Sequence, residues 1–259
     1  MSTIIYPSPI FGPVHSRRLG ISLGINLLPA DGKVCSFDCI YCECGFNKDH
    51  RPTQPLPTLQ QVSQALEAKL RQMQADGQLP DVLTFAGNGE PTCHPQFPEI
   101  ISEAIRLRNL YCPRAKVTVL SNATMIRHQK VRDALMLVDN NILKLDTVNP
   151  DYISRVDRPA GTYDVRSVIG HMKAFQGHLI IQTMFMRGEA DNKVSVDNTG
   201  EEYVAPWLDA VREIAPQMVM VYTIDRETPA HGLLKATPEQ LDTIRDRVIA
   251  LGIPCTASY

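Results

Sequence analysis

No stretch of this chain is long or apolar enough to cross a bilayer, and its first residues, MSTIIYPSPIFGP, have neither a charged n-region nor an apolar h-region. A soluble, cytoplasmic protein without a membrane partner is the expectation. Charge of one sign is equally missing: 26 Lys and Arg face 28 Asp and Glu, and no basic run exceeds Arg17-Arg18. No global field draws the chain to nucleic acid, which leaves only a local patch for any polyanion. Internal repeats, low-complexity tracts and an interdomain linker are absent too. The 259 residues therefore read as one domain, with 1–18 an N-terminal extension and 19–259 the body. An odd count of seven cysteines, none before Cys35 and four between Cys35 and Cys44, speaks against a disulfide framework and for metal in a reducing compartment.

Those four cysteines are the most informative stretch. Cys35-Ser36-Phe37-Asp38-Cys39-Ile40-Tyr41-Cys42 sets three soft ligands within one loop. Gaps of three and then two residues do not match the CxxC pairs of a zinc ribbon, which needs a distant second pair. They suit a [4Fe–4S] cubane, which takes four thiolates when fully ligated, so that three leave one iron open to a small chelating molecule. Cys44 keeps two rivals open: a Cys39/Cys42/Cys44 register, and a structural zinc closed by Cys35, Cys39, Cys42 and Cys44. Cys93, Cys112 and Cys255 stand apart and read as packed thiols.

Around this loop, strands and helices alternate. Residues 19–28 read as a first strand running into the cysteines. Thr58, with Gln61 three residues on, forms a capping box ahead of a helix striped by Leu59, Val62, Leu66 and Leu70, ending near Gly77. Further strands are expected at 80–86, 116–120, 142–146, 179–186 and 218–224, with helices at 97–110, 127–138, 165–175, 202–214 and 238–251 and a last apolar piece, Ile253-Pro254-Cys255. Six apolar strands, each followed by a helix, predict an α/β fold of parallel βα units, its sheet buried on both faces. Reacting groups in such barrels sit at the C-terminal strand ends. There the sequence has Gly87-Asn88-Gly89-Glu90-Pro91, then Ser121-Asn122, Lys144 and Asp146, Gln182 and Thr183 with Arg187 beyond, and Tyr222, Thr223, Asp225 and Arg226. The histidines His94, His171, His178 and His231 have no ligand spacing and read as core or surface.

The cysteine spacing, with Tyr41 before the last thiol, resembles the CxxxCxΦC signature of the radical S-adenosylmethionine (SAM) superfamily, and Gly89-Glu90-Pro91 resembles that family's GGEP motif. Here the motif opens Gly-Asn-Gly rather than Gly-Gly. The resemblance implies a partial (βα)6 barrel and a [4Fe–4S] cluster on Cys35, Cys39 and Cys42. It further implies SAM held by Tyr41, Gly87, Gly89, Glu90, Pro91, Ser121, Asn122, Asp146 and Gln182, with Glu90 accepting from the SAM ammonium. The activity implied is reductive cleavage of SAM, fed by an external flavodoxin- or ferredoxin-like one-electron reductant, to a 5′-deoxyadenosyl radical that abstracts hydrogen from a substrate. The segment from Gly12 to Gly20 is most similar to the branch containing wybutosine-type tRNA-modifying enzymes, whose upstream cysteine set has no counterpart before Cys35. The same residues are also compatible with a glycyl-radical-enzyme activase and with a zinc-binding RNA-interaction protein. Arg17, Arg18, Arg155, Arg158, Arg187 and Arg226 could converge at the barrel mouth on one anionic group, so a small-molecule or peptide-like substrate is expected ahead of tRNA.

Overall fold

The computed structural model describes residues 3–16, 20–191 and 194–259, so the expected Arg17-Arg18 site lies outside the described residues. Strand β1 (Ile10–Ser16) pairs with β2 (Gly20–Ile25), and a long excursion carrying the cysteine loop leads from β2 to helix α1 (Leu59–Ala75). The alternation then runs β3 (Val82–Phe85), α2 (Phe97–Tyr111), β4 (Lys116–Ser121), α3 (Gln129–Leu135), β5 (Asn140–Lys144), the single turn α4 (Pro150–Tyr152) and α5 (Val165–Lys173). It continues through β6 (Ile180–Met184), β7 (Met186–Ala190), β8 (Val194–Ser195), α6 (Glu201–Ile214), β9 (Met218–Tyr222), β10 (Leu233–Lys235), α7 (Pro238–Ala250) and β11 (Cys255–Ser258). Helix α1 starts as its sequence dictates: Thr58 Oγ1 accepts from Gln61 N at 3.2 Å, and Gln61 Oε1 accepts from Thr58 N at 2.8 Å.

The main sheet has eight strands in the order β1-β2-β3-β4-β5-β6-β9-β11. From β2 to β11 every pairing is parallel, which gives an α/β partial barrel. Three expectations need correction. The N-terminal extension is not separate from the barrel, because Ile10–Ser16 forms an antiparallel edge strand on β2. The last apolar piece becomes a seventh parallel strand, since Cys255–Ser258 finds the free edge of β9. The strand expected at 179–186 breaks at Phe185, where Asn198 intervenes: its Oδ1 accepts from Met186 N at 2.9 Å and its Nδ2 donates to Met184 O at 2.9 Å. Beyond the break, β7 joins β8 and β10 in a small antiparallel sheet.

The period of two along each strand divides the sheet into two unlike faces. Leu23, Ile25, Leu83, Phe85, Val117, Val119, Leu143, Ile181, Val219 and Val221 pack outward into one core with the helices. Their neighbours Ser22, Thr84, Leu120, Ile142, Gln182 and Met220 line a cavity of about 820 Å³. The inner face is thus a polar-studded lumen, not the second apolar face that continuous hydrophobic runs suggested. Among the described residues no helix is long and apolar enough to cross a membrane.

Candidate active site

The cysteine loop is irregular, yet backbone hydrogen bonds hold it on both flanks. Val34 N donates to Asn88 O at 2.9 Å and Val34 O accepts from Glu90 N at 3.0 Å, which ties the loop to the end of β3. On its other flank Ile40 N donates to Val156 O at 2.9 Å, Asp38 N to Asp157 O at 3.0 Å, and Ser36 O accepts from Ala160 N at 2.8 Å. Phe37 and Ile40 are buried as anchors, while Cys35, Cys39 and Cys42 are mostly but not fully buried. The thiols are mutual electrostatic neighbours. An all-thiol donor set of this kind fits an iron–sulfur cluster.

Burial pushes the Cys35 thiol up to about 12, with the nearby Glu90 charge adding, and pushes Cys39 well above the usual range. Cys42 goes the other way, to about 6, chiefly through a hydrogen bond from Cys44. Cys44 is buried, and its thiol also reaches Gly87 O at 3.5 Å. Beside the loop lies Lys33, only 3% exposed, its ammonium donating to Gly45 O at 2.6 Å. Burial works against the Lys33 charge, but its electrostatic neighbours, Cys42 first and then the other two thiols and Asp38, outweigh it and raise its proton affinity.

The loop from Gly87 to Pro91 packs directly under the cysteines. Gly89 has φ +128° and bridges Val34, and a Cβ there would lie 1.9 Å from Val34 O. Gly87, at φ +135°, leaves room for Asn26, whose atoms would sit 2.7 Å from a Cβ. Glu90 is 2% exposed and fully engaged by the chain. Its Oε1 accepts from Thr92 N at 3.1 Å, Thr92 Oγ1 at 2.5 Å and Ser121 Oγ at 2.8 Å, and its Oε2 from Asn122 N at 2.6 Å. Burial raises its pKa in spite of these bonds. Glu90 therefore holds the ends of β3 and β4 together, and Pro91 opens a 3₁₀ turn behind it. The Asn122 amide donates to Ser36 Oγ at 2.9 Å and lies 3.6 Å from Cys35 Sγ.

At the next strand end, Lys144, Asp146, Asp157 and Tyr41 form one buried cluster. Lys144 Nζ is 2.8 Å from Asp157 Oδ1 and also contacts Asp146 Oδ2 and the Tyr41 hydroxyl, which itself contacts Asp146. Asp146 Oδ1 accepts from Met184 N at 2.9 Å. Burial pushes the Tyr41 phenol and the Asp157 carboxyl up, the latter to about 6, while the two carboxylates hold Lys144 charged against burial. Cys39 Sγ sits 3.9 Å from Asp157 Oδ1. The structure thus brings Tyr41, Gly87, Gly89, Glu90, Ser121, Asn122 and Asp146 around the three cysteines, most of their polar atoms bonded to one another. Gln182 instead lines the lumen and also a smaller cavity of about 220 Å³ beside Tyr41.

Of the arginines, Arg155 donates to Asp151 O, Arg158 lies over the Phe46 ring and donates to Arg155 O at 3.1 Å, Arg187 donates to Lys235 O, and Arg226 pairs with Glu43 at 2.7 Å. Each of these four has a local partner. Sequence reasoning missed Lys33, Asn26 and Asp157. Asn26 could have been found as the one polar residue in the apolar run Gly24-Ile25-Asn26-Leu27-Leu28, whereas Lys33 and Asp157 carry no pattern that marks them.

A parallel partial barrel with a three-thiol loop at the C-terminal ends of its strands defines the class of the protein, an α/β barrel with a thiol site at its mouth. Residues 31–196 match the Radical SAM superfamily, and the chain belongs to it. Membership makes it an enzyme and implies an iron–sulfur cluster and SAM as cofactors. A protein named GTPase Obg from Brachyspira hyodysenteriae is 28% identical over 237 residues, 90% of this chain but 32% of that protein. A UPF0026 protein of Helicobacter pylori is 31% identical over 190 residues, 72% of this chain and 59% of its own length. The chain thus spans less than two thirds of these relatives. A radical SAM methyltransferase structure from Sphaerobacter thermophilus superposes with a TM-score of 0.66 at 17% identity, over 92% of this chain and 66% of that one, a likeness of fold alone.

Proposed function

We propose that Cys35, Cys39 and Cys42 ligate three irons of a [4Fe–4S] cluster and that SAM binds in the adjoining lumen. What carries this reading is the fixed contact between the cysteine loop and the Gly87–Pro91 loop at the lumen's edge, through Val34, Asn88 and Glu90. When bound, the cluster would supply the electron for reductive cleavage of the SAM C5′–S bond, and SAM would supply the radical chemistry for hydrogen abstraction from substrate. The protein's share is positioning and exclusion of water. Gly87 and Gly89 let the loop pack against Asn26 and Val34, Glu90 keeps Ser121 and Asn122 in register, and Gln182 offers an amide from the lumen wall. The electron comes from an external flavodoxin- or ferredoxin-like donor.

The substrate is a small molecule or a peptide-like one rather than tRNA. Arg226, the cation among the cavity's lining residues, is already paired with Glu43, so a chain of phosphates finds little to neutralise it. The test is anaerobic reconstitution followed by iron and sulfide analysis and an assay for 5′-deoxyadenosine. Cys35→Ala, Cys39→Ala and Cys42→Ala should each lose the cluster, and Cys44→Ala should keep it. Wild-type protein that takes up zinc and no iron, or that needs Cys44 but not Cys35, would overturn the reading.

A further inference from the structure

Lysines are almost never fully buried without a partner, because the ammonium gives up its hydration. Two lysines flank the cysteine loop, and their surroundings differ. Lys144 lies between two carboxylates, Asp146 and Asp157. Lys33 is enclosed more completely, its side chain 1% exposed, yet among the described residues its only carboxylate partner is Asp38 Oδ1 at 3.5 Å. That side chain is 27% exposed, and the same oxygen accepts from Asn47 N at 2.7 Å. The other contacts of the Lys33 ammonium are neutral Gly45 O at 2.6 Å and the Cys42 sulfur. The carboxylate is thus a partial partner only, and the other negative charge that Lys33 faces lies on the side of the three thiols.

Resting on the cluster assignment above, we propose that Lys33 is the built-in counter-charge of the iron–sulfur cluster and raises its reduction potential. Three thiolates on a cubane core of charge two plus leave one net negative charge, and one electron from the external donor doubles it. A fixed cation at the ligand loop favours the doubly negative form. No bond of Lys33 forms or breaks, and its protons stay where they are. Lys33 is thus a positioning residue for charge and does not touch the reacting atoms.

The test is an anaerobic redox titration of SAM-free, reconstituted protein, followed by electron paramagnetic resonance, on wild type, Lys33→Met, Lys33→Gln and Lys33→Arg. At the potential where the wild type is half reduced, the ratio of reduced to oxidised cluster should fall about tenfold or more in both neutral variants. For a one-electron couple that is about 59 mV. Lys33→Arg should stay within about threefold of wild type. Melting of the proteins with and without the cluster adds a second readout. There cluster loading should raise the wild-type melting temperature by more than that of Lys33→Met.

Neutral variants with the wild-type potential overturn the inference, and so does cluster loading that stabilises both proteins equally. If the neutral variants load no cluster, loading by Lys33→Arg supports the charge role and its failure overturns it. Wild-type protein that takes up no iron at all refutes the underlying assignment instead.

Discussion

Glu90→Ala separates a carboxylate that serves the chain from one that serves a ligand. The side chain is 2% exposed and accepts four hydrogen bonds, from Thr92 N, Thr92 Oγ1, Ser121 Oγ and Asn122 N. Removing it leaves two hydroxyls, which can rotate towards new partners, and two backbone amides, which cannot. A buried donor without a partner costs about 1–3 kcal/mol, so the two amides together cost about 2–6 kcal/mol, and water entering the gap draws the sum towards about 3 kcal/mol. That is a large share of the roughly 5–15 kcal/mol that holds a typical domain together. Glu90→Gln keeps one acceptor oxygen but turns an NH₂ group towards other donors, so about 1–2 kcal/mol is expected. Urea unfolding of cluster-free protein, followed by circular dichroism, reads both numbers without any cofactor present. A second signature lies in pH. Burial raises the Glu90 pKa above its unfolded value, so its contribution to stability is full below the ordinary carboxylate range and is lost as pH rises through the folded value. Glu90→Gln should lack that loss. An Ala variant within about 0.5 kcal/mol of wild type, far below the expected penalty, would refute this reasoning and return Glu90 to the SAM ammonium as its main partner.

Gly89→Ala puts a Cβ 1.9 Å from Val34 O at φ +128°, so it should cost about 3 kcal/mol or more and part the two loops, seen as a lowered melting temperature. Asn88→Ala removes bonds to Tyr6 N at 2.8 Å, Tyr6 O at 2.9 Å and Pro29 O at 2.8 Å, which at about 1 kcal/mol each should release the N-terminal segment. Faster amide exchange at Tyr6 and new proteolytic cuts before β1 would show it, and unchanged protection would count against it. Burial keeps His94 neutral, with Nδ1 accepting from Gln96 N at 3.1 Å, so its folded pKa is lowered. Stability should therefore fall as pH drops below about 6.5 towards that value, and His94→Gln should flatten the slope.

Signals that act over a few residues could be read from the chain alone. The Thr58–Gln61 box and the apolar stripe behind it fix α1 because both partners lie within one turn. Cys35, Cys39 and Cys42 announce themselves because ligand chemistry and spacing coincide. What escaped depends on contacts distant in sequence. Phe185 sits in a run that reads as unbroken strand, and the break comes from Asn198, a residue thirteen positions away whose amide replaces the ladder. Glu90 looked available to a ligand because its four donors lie on Thr92 and, beyond β3, on Ser121 and Asn122. Lys33 gave no sign because its burial follows from the way residues 38–47 fold over it.

The departure Gly-Asn-Gly has a physical reason that a comparison with Gly-Gly hides. Gly87 and Gly89 both have positive φ, and a Cβ on either would collide, one with Asn26 and the other with the Val34 carbonyl. Asn88 between them has a negative φ, where a side chain costs nothing, so the backbone requires glycine only at the flanking positions. The side chain placed there is fully buried and used at both ends: Oδ1 accepts from Tyr6 N while Nδ2 donates to Tyr6 O and Pro29 O. Asn26 repeats the device, with Oδ1 accepting from Leu28 N at 3.1 Å and Asn88 N at 3.3 Å. Tyr6 in turn reaches Arg226 at 3.2 Å, and Arg226 reaches Glu43, one residue beyond Cys42. The N-terminal segment, the glycine loop and the far side of the cysteine loop thus close into one hydrogen-bonded ring beside the lumen. A cysteine loop with no secondary structure of its own can hold three thiols in fixed positions only if such a ring supplies the order that helix or strand would otherwise provide.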